Sequence, residues 1–282
     1  MTEPVARLTG HAVTGSRRLS GDLREATLDD ERVVVAKHGH APGAAEAEAA
    51  GLRWLAQPGV VRVPAVHGFD ENWLVIDRVP DGRPSAEAAE RLGRGLARLH
   101  ASGAPAFGAA PPDGPADAWI GLAPMANVPG EDWASWYAEH RVLPYVRAAV
   151  DAGTFGPAEA AVFERACERF AAPAEPPARL HGDLWNGNVL WDGHEAWLID
   201  PAAHGGHRET DLAMLHLFGC PHLDRVMAAY QEETPLADGW AARIGLHQLF
   251  PLLVHTVLFG QSYAGQAVAA ARAVLEPFHR FE

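Results

Sequence analysis

The most informative segment of the sequence, His181 to Asn188, reads HGDLWNGN. A second motif, LIDP, spans Leu198 to Pro201. It begins about ten residues after Asn188, which is enough chain for one short hairpin. Between the two lie short apolar runs around Asp192-Gly193, and Asp-Gly is a favoured pair for the turn of a β-hairpin. The sequence therefore predicts a hairpin with an acid and an amide before it and a second acid where it closes.

Three polar side chains of these motifs suit one chemical task. The spacing H-x-D-x-x-x-x-N is that of a phosphotransferase catalytic loop, in which Asp183 orients a hydroxyl group and accepts its proton. Asn188 and Asp200 supply a neutral and an anionic oxygen of the hard type that Mg²⁺ prefers. Either motif alone would be read as an ordinary turn, but their joint occurrence favours an ATP- and Mg²⁺-dependent kinase with Asp183 as catalytic base. The preceding His181 is expected to pack and hydrogen-bond the loop.

A lysine upstream fits the same chemistry. The apolar run Val33 to Ala36 ends in Lys37, as does the strand whose lysine binds ATP phosphates in kinases. Glu48, on the helix predicted next, is its expected ion-pair partner, and Glu46 is the competing candidate. Without the downstream motif, a surface lysine at the end of a strand would be the better interpretation.

Two further nucleotide contacts are predicted from position. Ser20 and Gly21 lie between the first strands, where backbone N–H groups can approach phosphate, although neither GxGxxG nor GxxxxGK[ST] is present. A plain β-turn is nearly as good an interpretation. The segment Asp77-Arg78-Val79 precedes the best linker, Pro80 to Pro84, and is the expected hinge that offers backbone groups to adenine.

The periodicity indicates two lobes of different character. Residues 1–79 are expected to form a small β-rich, ATP-binding lobe with one helix, Ala44 to Leu55, and residues 80–282 a larger, mainly helical, catalytic and substrate-binding lobe. Within the larger lobe, helices are predicted at Ser85 to His100, at Asp132 to Ala152 and from Thr210 onward. Leu246 to Phe259 is apolar almost throughout and is expected to be core. The fold class is therefore α+β, in a bilobal protein-kinase-like arrangement.

Composition excludes several other classes. The 282 residues carry a formal net charge of −13, which argues against a general nucleic-acid binder. The two cysteines, Cys167 and Cys220, imply neither a disulfide framework nor a cysteine metal site. No signal-peptide core and no uninterrupted membrane span is apparent. We expect a soluble, cytoplasmic monomer without nucleic-acid or membrane partners.

In these residues and their surroundings, the chain resembles the fructosamine kinase (ketosamine-3-kinase) family, itself similar to aminoglycoside phosphotransferases and choline kinases. The resemblance spans nearly the whole chain. Its motifs are LHGDLWNGNVL (Leu180 to Leu190), LIDPAAHGGHRETDLAMLHLFG (Leu198 to Gly219), DWASWYAEHRVLPYV (Asp132 to Val146), AWIG (Ala118 to Gly121) and RIGLHQLFPLLVHTVLFGQSY (Arg243 to Tyr263), with a looser match of SGD, VVVAKHG and EAAGL in the first lobe.

The resemblance implies phosphorylation by ATP of a ketosamine at its third hydroxyl, which destabilises the adduct and serves protein deglycation. It assigns the proton acceptor, the metal ligands, the ATP-anchoring pair and the adenine hinge to Asp183, to Asn188 and Asp200, to Lys37 and Glu48, and to Asp77 to Val79.

Other positions in the motifs have weaker assignments. Trp185 is a candidate for stacking on a sugar-like substrate, with a packing tryptophan as an equal alternative. Arg208 is a candidate for phosphate or substrate contact, with an internal ion pair as the preferred alternative. Asp211 is expected to cap a helix or buttress the catalytic loop, and His204 and His207 are not expected to form a zinc site. Ser20 stands where some family members carry a cysteine, so no redox switch is expected.

Two alternatives to a ketosamine kinase remain. One is a kinase for another hydroxyl compound of the aminoglycoside or choline type, and the other is a non-catalytic nucleotide-binding module. The second is disfavoured because Lys37, Asp183, Asn188 and Asp200 are all present. The expected partners are ATP and a ketosamine, either free or on glycated protein lysines, and the negative net charge slightly favours a cationic or neutral amine.

Overall fold

The structure, a computed structural model, describes residues 2–21 and 23–276. Its N-terminal part contains a five-stranded antiparallel sheet with the strand order β1-β2-β3-β5-β4 and two helices. The elements are α1 (Thr2–Thr9), β1 (Val13–Ser20), β2 (Leu23–Leu28), β3 (Val33–His38), α2 (Ala44–Ala56), β4 (Val66–Phe69) and β5 (Trp73–Asp77).

The first lobe follows the predicted pattern. Strands β2 and β3 form the expected antiparallel hairpin, with Leu23 opposite Lys37 and Thr27 opposite Val33. Helix α2 covers the sheet with an apolar face, since Leu52 packs in one cluster with the buried Leu74. Helix α1 was not predicted, because its eight residues offer too short a pattern. It is held by Val5, which is buried against the other side of the sheet.

The second part of the chain is mainly helical, with three short antiparallel strand pairs between the helices in the part of the chain that the structure describes. Its helices are α3 (Ala86–Ala101), α4 (Trp133–Tyr137), α5 (Leu143–Asp151), α6 (Pro157–Cys167), α7 (Glu209–Phe218), α8 (Leu223–Glu233), α9 (Trp240–His247), α10 (Leu249–Phe259) and α11 (Gln261–Leu275). Its strands are β6 (Asp117–Ile120), β7 (Ala123–Ala126), β8 (Ala178–Leu180), β9 (Val189–Trp191), β10 (Ala196–Leu198) and β11 (His204–Gly206).

Local chemistry explains where the helices begin and break. Ser85 accepts a hydrogen bond from the backbone N–H of Ala88, which satisfies one of the free donors at the start of α3. The stretch predicted as one helix, Asp132 to Ala152, is instead α4, a π-helical turn and α5. The turn precedes Pro144, whose ring lacks an N–H donor and cannot continue an unbroken α-helical ladder.

Helix α10 lies in the core of the larger lobe for most of its length. Its buried residues include Leu249, Phe250 and Leu253, which pack in the cluster that also holds Trp133 and Tyr137. The stretch Trp240–Phe259 is long and apolar enough to cross a membrane, with a mean hydropathy of 1.2, but 56% of it is buried inside the protein, as in a core helix. The prediction that Leu246 to Phe259 is core is wrong at its end, where Phe259 is 58% exposed.

Candidate active site

The predicted hairpin forms and brings the two motifs together. Strands β9 and β10 pair antiparallel, and Asn188 ends a single 3₁₀ turn immediately before β9. The Asn188 side-chain N–H donates to Asp183 Oδ2 and to the Asp183 carbonyl, both at 2.9 Å, and reaches the Asp200 carbonyl at 3.4 Å. The amide group of Asn188 therefore fixes the Asp183 carboxylate and leaves the Asn188 side-chain oxygen available as a ligand.

His181 ties the turn of the first motif to the second motif. It is fully buried, its Nδ1 accepts from the Asp183 backbone N–H at 3.3 Å, and its Nε2 lies 3.0 Å from the Ile199 carbonyl. Since Nδ1 is an acceptor, the ring carries its proton on Nε2 and donates it to Ile199. Burial lowers the pKa of His181, so the ring stays neutral. This geometry agrees with the structural role expected from the sequence.

Close backbone contacts set the spacing of the two motifs. Gly182 has φ 82°, and a side chain there would place its Cβ 2.0 Å from the Ala202 carbonyl oxygen. Asp200 has φ 50°, an uncommon conformation for a residue with a Cβ, of the kind that clusters at functional sites. The turn before Asp183 and the segment after Asp200 therefore approach as closely as their backbones allow.

A lysine from the small lobe completes the group. Lys37 Nζ lies 2.7 Å from Glu48 Oε2, as predicted, and 3.0 Å from Asp200 Oδ1. Burial opposes the lysine's charge, but Glu48 and Asp200 outweigh it and raise the pKa of Lys37, which remains a cation. Helix α2 reaches this point because it has Gly51 where it faces Pro201, whose Cγ would lie 3.1 Å from an added Cβ.

The carboxyl group of Asp183 is poised for proton transfer. Burial raises the pKa of Asp183 from 3.8 to about 7, against the hydrogen bond from Asn188, which lowers it, while the negative charge of Asp200 adds to the rise. A carboxylate with a pKa near the working pH is an effective general base.

Asp211 anchors the turn that carries Asp183. It is buried at the start of α7, where its Oδ2 accepts from the His181 backbone N–H at 2.8 Å and its Oδ1 from the Gly182 backbone N–H at 2.9 Å. Burial opposes the charge, yet His100 and these donors lower the pKa of Asp211, so it is a carboxylate. Of the two roles predicted for it, the buttress of the catalytic loop is the one that its contacts support.

These side chains line a cavity of about 410 Å³, within the range of small-molecule sites. The charged and polar members gather at one end, and the remaining wall is mostly apolar or aromatic. The polar group consists of Lys37, Glu48, Asp183, Asn188 and Asp200. The wall includes His40, Trp119, Leu122, Trp185, His255, Leu258 and Phe259.

Trp185 is an exposed member of the cavity lining. Its ring packs over Gly187, where an added Cβ would approach it to 2.2 Å, and the residue is 38% exposed. Sequence reasoning missed the rest of the wall. Trp119 stands in AWIG and His255 and Phe259 in LVHTVLFG, two motifs that were noted as family patterns, but nothing in their spacing indicates that they face the same cavity.

The hinge residues lie at the end of β5 and do not line the cavity. The Asp77 backbone N–H donates to Ala65 and that of Arg78 to Val33, at 3.0 and 3.2 Å. The Arg78 guanidinium pairs with Glu25, and the buried Val79 carries the one hinge amide that has no backbone partner among the residues described.

Ser20 ends β1, and Gly21, with φ 45°, begins the turn to β2. Both are exposed, and Asp22, the next residue of the predicted phosphate loop, lies outside the described residues. Arg208, the candidate substrate contact, lies outside the cavity. Its guanidinium makes two hydrogen bonds to Glu175, at 2.6 and 2.7 Å, so the internal ion pair is what the structure contains, and the geometry gives the substrate role no support.

A buried group of His207, Glu209 and His247 has the composition of a metal site but not its chemistry. Both Glu209 oxygens accept from the Arg243 guanidinium, at 2.5 and 2.8 Å. The Glu209 backbone N–H donates to His207 Nδ1 at 3.2 Å, so the neutral ring carries its proton on Nε2. That nitrogen has no lone pair to offer a metal, and the group is a buried ion-pair network.

Comparison with known proteins connects this site to a family. The family model for fructosamine kinases matches residues 21–277. The protein of Thermus thermophilus named probable ketoamine kinase is 36% identical over 247 residues, which cover 87% of this chain and 88% of that protein. The chloroplastic protein-ribulosamine 3-kinase of Arabidopsis thaliana is 30% identical over 243 residues, 81% of this chain and 71% of that protein.

Solved structures agree in fold. A crystal structure from Thermobifida fusca assigned as a fructosamine-3-kinase superposes with a TM-score of 0.91 at 47% identity and covers 98% of each chain. An aminoglycoside phosphotransferase in complex with ADP and hygromycin B superposes with a TM-score of 0.63 at 15% identity, with 98% of this chain and 99% of that chain covered. The bilobal protein-kinase-like fold predicted from the sequence is confirmed.

Proposed function

Because the chain belongs to the fructosamine kinase family, and so is a ketosamine kinase, we propose that it transfers the γ-phosphoryl group of ATP, with Mg²⁺, to the third hydroxyl of a ketosamine. The observation that carries the proposal is the meeting of Lys37, Asp183, Asn188 and Asp200 at one end of a single cavity. Each matches one requirement of phosphoryl transfer, which depends on positioning and charge neutralisation.

Asp183 acts on the acceptor. Its carboxylate, held by the Asn188 amide, orients the substrate hydroxyl and takes its proton as the bond to phosphorus forms. Mg²⁺, when bound, would be held by Asn188 and Asp200 and would neutralise the ATP phosphates. An amide oxygen and a carboxylate are the hard ligands that this ion prefers, so the residues present fit it.

ATP is held by groups of the small lobe. Lys37 contacts the phosphates with its charge, and Glu48 keeps the ammonium group in place. The Val79 N–H meets the adenine ring. The amides around Ser20 and Gly21 cover the phosphates, because the positive φ of Gly21 permits the close approach of backbone to ligand.

The cavity wall favours a sugar with one amine over an aminoglycoside. Trp119, Trp185, His255 and Phe259 form an aromatic surface suited to the faces of a sugar ring or chain. Among the described lining residues, the carboxylates are Glu48, Asp183 and Asp200, all engaged in the polar group. A polycationic aminoglycoside would require further acids on the wall to offset the loss of its hydration.

The phosphorylated position and the biological role follow the relatives. The name of the Arabidopsis relative specifies ribulosamine and the third position, and phosphate at that carbon would destabilise the adduct and return the free amine. We therefore place the enzyme in deglycation, as a cytoplasmic monomer acting on free ketosamines or on glycated lysines.

The test is a panel of acceptors with the product identified. We expect ADP release with ribulosamine and fructosamine derivatives, none with aminoglycosides or choline, and a phosphorus coupling at carbon 3 in the NMR spectrum of the product. Asp183→Asn is the matched control, since it keeps the size of the side chain. Turnover of an aminoglycoside in place of every ketosamine, or a phosphate at another carbon, would refute the proposal.

A further inference from the structure

A buried hydrogen-bonded chain extends from the catalytic turn into the larger lobe. His100, near the end of α3, places Nε2 3.1 Å from Asp211 Oδ2 and Nδ1 2.8 Å from the Tyr230 hydroxyl of α8. The three residues are each at most 3% exposed. Asp211 in turn holds the backbone amides of His181 and Gly182, which immediately precede Asp183. His100 and Tyr230 lie outside the motifs that identify the site, whereas Asp211 lies within one of them.

The hydrogen bonds of this chain converge on the Asp211 carboxylate. Asp211 is ionised and only accepts, so His100 Nε2 carries a proton and donates it. Its Nδ1 lies 2.8 Å from the Tyr230 hydroxyl, and this second hydrogen bond holds the ring in the orientation that points Nε2 at Asp211. Burial raises the pKa of the Tyr230 phenol, so it keeps its proton. Asp211 Oδ2 therefore receives two donors, His100 Nε2–H and His181 N–H, and its orientation depends on both.

We propose that His100 and Tyr230 are positioning residues for phosphoryl transfer, which hold Asp211 and thereby the turn that carries Asp183. The Tyr230 hydroxyl fixes the orientation of the His100 ring, and the His100 ring fixes the Asp211 carboxylate. Without the hydroxyl, the His100 ring loses one of its two hydrogen-bond partners and can turn away from Asp211 Oδ2. The position of Asp183 depends on this turn because the Asp183 backbone N–H donates to His181 Nδ1.

Arg208 belongs to the same arrangement on its outer side. Its charge acts on Tyr230, where it opposes the rise of the phenol pKa, and its guanidinium is fixed by Glu175. It also donates to the Thr234 and Pro235 carbonyls beyond α8. The arginine that the sequence offered as a substrate contact is thus held by Glu175 and by two backbone carbonyls.

Tyr230→Phe is the decisive variant because it removes one oxygen atom and keeps the buried ring. Tyr145→Phe is its matched control, since the Tyr145 hydroxyl also makes one hydrogen bond of 2.8 Å, to Pro124, but has no link to the catalytic turn. We expect Tyr230→Phe to lower kcat about 5- to 30-fold with the KM for ATP changed less than about 2-fold, because small displacements of a catalytic group are costly. Tyr145→Phe should change kcat less than about 2-fold.

Two variants of His100 extend the test. His100→Leu removes both hydrogen bonds and should lower kcat further, whereas His100→Gln keeps a donor for Asp211 and should restore part of the loss. Equal kcat values for Tyr230→Phe and Tyr145→Phe, or no difference between His100→Gln and His100→Leu, would overturn the proposal.

The inference rests on the proposed phosphotransfer, so a second measurement tests it without turnover. Hydrogen exchange at the His181 and Gly182 amides should be about 10-fold faster or more in Tyr230→Phe than in Tyr145→Phe, because their acceptor is loosened. Unchanged exchange would refute the positioning role even in a fully active enzyme. A wild-type protein that phosphorylates no ketosamine, but shows the exchange difference, would count against the proposed function alone.

Discussion

The titration of Asp183 predicts the pH dependence of the enzyme. The rise of its pKa from 3.8 to about 7 corresponds to roughly 4 kcal/mol of penalty on the charged form at 1.36 kcal/mol per pH unit. A general base must be deprotonated, so kcat falls as the pH falls. We expect a single ionisation with a midpoint near pH 7 and a roughly tenfold loss for each further pH unit below it. Mg²⁺ at Asp200 would cancel the like charge there, so a higher Mg²⁺ concentration should move the midpoint to lower pH.

The assay is kcat with saturating ATP and ketosamine from pH 5 to 9, for the wild type and for Asp183→Asn. The variant should lose about 10² to 10⁴-fold of kcat at pH 8, the usual worth of a positioned acid–base group, and its remaining activity should not follow the same ionisation. It should still bind ATP. A wild-type profile that is flat from pH 5 to 8, or a variant within threefold of the wild type, would refute the assignment of the base.

Other residues give shorter predictions. Asp200→Ala should weaken Mg²⁺-dependent ATP binding, checked by titration calorimetry with and without Mg²⁺; an unchanged Mg²⁺ dependence contradicts its role as a ligand. Glu48→Gln should raise the KM for ATP about 10-fold, since Lys37 loses its partner, and should leave the acceptor KM unchanged in the same kinetic assay. Burial raises the pKa of Glu209, but His247 and Arg243 outweigh burial and lower this pKa from 4.5 to about 2. Glu209 thus contributes stability above pH 4.5 that is lost as the pH falls toward 2, on the order of 3 kcal/mol, and denaturant unfolding of Glu209→Gln should show a smaller loss between pH 5 and 3.

The polar end of the cavity could be predicted because most of its residues belong to short, local sequence motifs. Asp183 and Asn188 are five residues apart, and the Asp-Gly turn between β9 and β10 brings Asp200 beside them. Lys37 required one longer inference, from a strand to the helix that follows it. Spacing carried the information for Asp183, Asn188 and Asp200, whereas Lys37 was assigned only because the downstream motif was also present.

The cavity wall could not be predicted in the same way. Leu122, between β6 and β7, and Phe259, at the end of α10, come from distant segments, and their apolar side chains read as core residues. The structure leaves them 64% and 58% exposed. His100 and Tyr230 were missed for the same reason, because the sequence indicates only that both lie on amphipathic helices. Their partnership depends on the packing of α3 against α8.

The separation of the polar end from the wall has a consequence for how such enzymes change. The phosphate-handling groups lie on the β9–β10 hairpin, β3 and α2, whereas Trp119, Leu122, His255 and Phe259 lie on segments that carry none of them. Under the proposed function, a mutation in the wall should alter which acceptor fits while the transfer step is kept. Directed evolution confined to residues 119–122 and 254–259 offers a route to new acceptor ranges on an intact phosphorylating core.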